Sequence, residues 1–195
     1  MRTFLAIAAL AMLIAPTAAP ARVRHPAPAQ LRHPDPAQLP PVRRIITSED
    51  AAGHSYVLAD GSSANVVMLN GSRVERLWET QGLPVQVPVD RDLGATARNG
   101  YRPGFVGSSM YIADIPVGSG LQQVPMHKLT SMDYIVVMEG QIDLVLDGGK
   151  RAPMKRGDIL IQAGDNHSWI NTGKTPVRLL NIIMTGQRTA QPGPG

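Results

Sequence analysis

Between Val124 and Asn171 no apolar run is long enough for anything but a strand. The runs are Val124–Leu129, Tyr134–Met138, Ile142–Leu146, Ile159–Gln162 and Ser168–Ile170, and each is stopped by a turn signal. Segments of this length with few helix starts read as short β-strands. Glu139-Gly140 and Asp147-Gly148-Gly149 supply the positive-φ positions that tight hairpins need. His127, Asp133 and His167 fall at the ends of these strands and are the best candidates for chemistry in the sequence.

The flanking sequence continues the pattern. Arg44–Thr47, His54–Ala59 and Ala64–Leu69 read as strands, with Asp60-Gly61 and Asn70-Gly71 as turns. Val74–Thr80 alternates so that one face carries Trp78. Proline and glycine dominate Gly82–Gly107, which reads as a long loop crossing a barrel rim. Met110–Ile115 and Val177–Thr185 complete the strands. Many short strands, hardly any helical periodicity and glycine-rich turns predict an all-β fold, a jelly-roll barrel or double-stranded β-helix.

The ends are different in character. Residues 1–21 carry an uncharged apolar run from Phe4 to Ala15 and small residues at Ala19-Pro20-Ala21, which predicts a signal peptide. The expected location is periplasmic or secreted, with no stable membrane insertion after processing. Residues 22–42 form a proline-rich arm in which Arg24–Leu31 is repeated almost unchanged at Arg32–Leu39. Such repeats cannot bury a core and favour extended, disordered chain. Residues 22–44 hold five arginines and one aspartate, whereas residues 45–195 hold thirteen Lys/Arg against fourteen Asp/Glu. The high pI thus belongs to the arm, and the domain shows no basic face for nucleic acid. The barrel is expected over residues 43–187, and 188–195 as a disordered tail. The absence of cysteine excludes disulfides and thiolate catalysis.

Two motifs carry a resemblance. His127, Leu129, Asp133 and Gly140 keep the spacing of H-x-H-x3–4-E-x6-G. Gly157, Gly164, His167 and Asn171 follow G-x5-P-x-G-x2-H-x3-N, one residue short between the two glycines. These are the signatures of the cupin superfamily, and MHKLTSMDY with GDILIQAGDNHSW resembles one cupin subgroup more closely. The resemblance implies the same jelly roll, homodimer formation, and a metal- or substrate-binding set of His127, Asp133 and His167. Leu129 stands where most metal-binding cupins place a second histidine.

Two histidines and a carboxylate are a known metal set for Fe, Mn, Ni or Zn, expected here to be weakly bound because aspartate is shorter than glutamate. Without a metal the same three side chains make an acid–base group. Three classes stay open: a metal-dependent oxygenase, decarboxylase or isomerase acting on an organic acid or oxidised aromatic; a metal-free His/Asp lyase or isomerase; and a non-catalytic ligand-binding barrel. An enzyme with a small-molecule substrate is preferred, since ionisable residues are kept in the motif register. Tyr134 and Trp169 are expected to pack outside the pocket, and Asn171 to order a turn. Arg102 is expected to be a solvated loop residue. Gly173-Lys174-Thr175 lacks the first glycine and the helix of a phosphate loop.

Overall fold

The computed structural model describes residues 39–98, 102 and 104–189. The expected signal peptide, nearly all of the repeat arm and most of the expected tail lie outside these residues.

Among the described residues, eleven strands account for nearly all the regular structure. Strands β1 (Arg43–Glu49) and β2 (Ser55–Ser62) form a separate two-stranded ribbon. It turns where the Asp50 carboxylate accepts from the backbone N–H groups of Ala52 and His54, both at 2.9 Å. Asp60-Gly61 is not a turn: it lies inside β2, where Asp60 is ion-paired across the ribbon to Arg43 at 2.7 Å. The pairing supplies the carboxylate with a partner that the dipeptide signal alone could not reveal.

The barrel is built from two antiparallel sheets. The larger has the order β3 (Val66–Leu69), β4 (Ser72–Gln81), β5 (Gly107–Ile115), β11 (Val177–Thr185), β6 (Ser131–Glu139) and β9 (Ile159–Gln162). The smaller has β10 (His167–Ile170), β7 (Gln141–Leu146) and β8 (Arg151–Lys155). Gly140 carries the chain from one sheet to the other at φ 79°, and a Cβ there would stand 2.9 Å from the carbonyl oxygen of Pro176. Only glycine suits both demands. Between the sheets Ile115, Ile135, Val137, Val177 and Leu179 meet Ile142, Leu144, Met154 and Trp169 in one buried cluster. This is the expected all-β jelly roll.

Two further local features depart from the sequence reading. Val124–Leu129 forms no strand; its only ladder contact is a single bridge from His127 to His167. Trp78 does not keep the alternation of Val74 and Arg76, because β4 bulges between Arg76 and Trp78. A bulge inserts one residue and reverses the facing of those beyond it.

Across β4, β5 and β11 the outer face holds buried charge. Asp114, fully buried, accepts from Arg178 at 2.6 and 2.8 Å and from Arg73 at 3.2 Å. Arg73 also reaches Glu75, whose other contact is the backbone N–H of Val42 at 3.2 Å. The entering chain is thereby tied to the barrel wall.

Candidate functional site

Register arranges the inner face of the large sheet in layers. Ser109, Ile183, Asp133 and Gln162 lie side by side across β5, β11, β6 and β9. The next layer is Tyr111, Asn181, Ile135 and Leu160, and beyond it stand Ala113, Leu179 and Val137. The interior is therefore polar at one end and apolar at the other.

His127 and His167 come from opposite ends of the signature region and meet over this interior. Their backbones exchange hydrogen bonds of 2.9 and 2.8 Å, and their ring centroids are 4.3 Å apart with the planes tilted by 53°. Each Nδ1 faces a backbone carbonyl, that of Pro125 at 2.9 Å for His127 and that of Asp165 at 3.1 Å for His167. A carbonyl only accepts, so each Nδ1 carries the proton and each Nε2 is left as the acceptor in the neutral ring. Burial, reinforced by the neighbouring His127, pushes the His167 imidazole below its ordinary range, against the opposing pull of Asp165.

Asp133 is buried on β6. Desolvation raises its carboxyl above the ordinary carboxylate range, and the nearby charge of Asp165 adds to this. Ser131 stands close enough to oppose the rise, yet its hydroxyl completes no hydrogen bond. Asp133 Oδ1 and Gln162 Oε1, on register partners, are both buried without a hydrogen-bond donor. Two adjacent orphan acceptors favour a carboxyl that keeps its proton.

A cavity of about 310 Å³ opens beside His127, bounded by Tyr111, Asn181, Val74, Leu179 and Trp169 among others. The sequence reading missed Tyr111 and Asn181. The alternation through Met110–Ile115 already placed Tyr111 on one face with Ala113 and Ile115, but it could not say which face is inside. Burial raises the Tyr111 phenol above its ordinary range, and Asp133 adds to this whenever it is ionised. Tyr111 therefore remains an O–H donor.

Of the remaining candidates, Tyr134 lies on the outer face as expected. Trp169 does not: two residues from His167, it shares the inner face, and its ring stands edge-on to His167 at 6.3 Å. Leu129 borders a separate groove with Gly164 and Arg188 rather than the cavity of His127. With the ladder contact ending at His127, the two-residue alternation has nothing to sustain it. Asn171 orders its turn, donating to the carbonyls of Ile115 and Thr175 and accepting from the Gly173 N–H. Arg102 is not simply solvated: it forks onto Glu79 at 2.8 and 2.9 Å and lies over the Phe105 ring.

The divalent metal implied by the motifs needs a set of ligands. Two Nε2 atoms are presented, but among the described residues no three His, Cys, Asp or Glu side chains are gathered closely enough to hold an ion. The described residues do not fit a three-ligand centre.

The cupin-domain family model matches residues 111–183, the strands that carry this interior. Phomopsin biosynthesis cluster protein D of Diaporthe leptostromiformis is 36% identical over 142 residues, covering 68% of this chain and 71% of that protein. The cupin-domain-containing oxidoreductase fogC of Aspergillus ruber is 32% identical over 151 residues, covering 73% of this chain and 72% of that one. Among solved structures, the cupin domain of Schizosaccharomyces pombe Cnp3 aligns with a TM-score of 0.47 at 15% identity, over 73% of this chain and 87% of that one. The chain belongs to the cupin family.

Proposed function

We propose that this cupin is a small-molecule enzyme whose own residues perform proton transfer, of the lyase or isomerase type, at the paired imidazoles. The observation that carries this reading is the orientation of the two rings. Both Nδ1–H groups are committed to backbone carbonyls, so both Nε2 lone pairs are free as bases. An imidazole kept neutral by burial is ready to accept a proton at Nε2, and the imidazolium so formed can return that proton to a different atom of the same molecule. Asp133, buried on the inner face with its carboxyl raised above the ordinary carboxylate range, lies close enough to His127 for the two to influence each other.

Deuterium exchange tests this reading. Acetylacetone incubated with the protein in D₂O should exchange its acidic C–H protons faster than in buffer. His127→Gln and His167→Gln should each lower the protein-dependent rate by about 100-fold or more, the scale of general acid–base catalysis. Exchange no faster than in buffer, or unchanged in both variants, overturns it.

A second reading is favoured by the relatives named as oxidoreductases. It requires an electron acceptor or donor in addition to the side chains described. Oxygen uptake or dye reduction by the same sample separates it from proton transfer alone.

A further inference from the structure

The polar groups that border the cavity are few, and among the described residues none is a carboxylate, lysine or arginine. Tyr111 and Ser72 offer hydroxyls, Asn70 and Asn181 offer amides, and His127 offers an imidazole. The rest of the wall is apolar: Val74, Ala113, Ile115, Val124, Leu179 and Trp169 among it. No lysine or arginine is among the described residues that line it. Asp133 and Asp165, whose side chains act on one another, are acids, and Asp165 also acts on His167.

The arginines of the wall are turned elsewhere. Arg73 and Arg178 are bound to Asp114 on the outer face. Arg76 is the register partner of Tyr111, but its guanidinium reaches the side-chain oxygen of Asn65 at 3.2 Å and the carbonyl of Ala97 at 3.3 Å. A carboxylate entering this cavity would lose part of its water and meet no lysine or arginine among the described lining residues, which is unfavourable. An uncharged molecule with one oxygen acceptor meets no such penalty, and Tyr111 can donate to that oxygen. Asn181 stands next to Tyr111 across the strand pair, with one amide hydrogen given to the Leu179 carbonyl at 3.3 Å.

We infer that the cavity receives an uncharged, largely apolar molecule bearing a carbonyl or hydroxyl oxygen, and that the Tyr111 hydroxyl is the donor that fixes that oxygen. Of the two substrate classes the sequence left open, an organic acid and an oxidised aromatic, this selects the uncharged one. Its volume of about 310 Å³ is at the small end for ligand sites, suited to one or two fused rings. The inference rests on the reading of this cavity as the reaction chamber. It is tested by binding without turnover, so loss of the acid–base reading leaves the selectivity intact, and the reverse also holds.

Calorimetric titration of the full chain at pH 7.5 with acetophenone, benzoate and ethylbenzene reads the inference directly. The three probes share a ring and differ in a neutral acceptor, a charge, and neither. Acetophenone should bind saturably and benzoate at least about tenfold more weakly, the scale of an unpaired charge in a partly desolvated site. Tyr111→Phe keeps the ring and should weaken acetophenone about fivefold, the worth of one hydrogen bond, while leaving ethylbenzene unchanged. A thermal melt of the variant establishes that it is folded, and the wild-type comparison needs no variant at all. Benzoate binding as tightly as acetophenone overturns the inference and points to Arg76 swinging inward. No saturable binding of acetophenone overturns it, as does equal weakening of acetophenone and ethylbenzene in Tyr111→Phe.

Discussion

The imidazoles of His127 and His167 face each other at 4.3 Å with both Nδ1 atoms spent on backbone carbonyls. The arrangement ties His167 to the neutral form, and the consequence for stability has a definite sign. Its folded pKa lies below the ordinary value of 6.5. Between those two values the unfolded chain binds the extra proton and the folded chain does not. Stability therefore rises with pH through that window and is lost as pH falls below about 6.5.

Melting temperature followed from pH 7.5 to 5 should fall in the wild type. It should fall less in His167→Gln, which has no proton to gain at that position. Parallel curves for the two proteins would show that His167 is not desolvated in the folded state.

Asp133 is displaced in the opposite sense. Its folded pKa is raised above 3.8, so folding is favoured by the protonated carboxyl and the contribution disappears as pH rises through the folded value. Asp133→Asn keeps the shape, removes the charge and offers an N–H beside the orphan Gln162 Oε1. The variant should melt higher than wild type at pH 8, with the gap closing towards pH 4. A variant that melts lower than wild type at both pH values would mean that Asp133 is an ionised partner of some other group.

The buried charges on the outer face give a larger effect. Asp114 is fully buried and its shortest contacts are to Arg178. Arg178→Leu leaves that carboxylate with Arg73 alone and should cost about 3–5 kcal/mol, the range for stranding one member of a buried pair. Replacing both Asp114 and Arg178 by leucine should recover most of the loss, because the desolvation of both charges is then removed. Chemical denaturation of the single and double variants measures both quantities. An unchanged midpoint in Arg178→Leu would show that Arg73 suffices.

Much of this molecule was legible in its sequence, and the reasons are local. Strand lengths, the glycine turns and the all-β class follow from short-range chemistry. Gly140, Gly157 and Gly164 all adopt the positive φ that the motif glycines announce. The motif spacing also led to the meeting of His127 with His167. What stayed hidden depends on partners distant in the chain. Asp60-Gly61 has a turn composition but pairs with β1, and the facing of Tyr111 depends on which side β7 and β10 cover. Trp169 could have been placed correctly from parity with His167, two residues away; only its register with Leu144 shows the inner face directly.

Leu129 is where local parity fails, and it yields the last prediction. If Val124–Leu129 were a regular strand, His127 and Leu129 would project into the same space, and Leu129→His would add a third imidazole beside the other two. The structure instead ends the ladder contact at His127 and sets Leu129 in a groove with Gly164, where its carbonyl accepts from Arg188 at 3.3 Å. A histidine at that position should face Arg188 and Thr130, away from the Nε2 atoms of the pair. Leu129→His should therefore carry no more Fe, Mn, Ni or Zn per chain than wild type when both are loaded and measured by elemental analysis. A clear rise in metal content, abolished again by His167→Ala, would place residue 129 inside the cavity after all and restore the regular strand that the motif alone suggests.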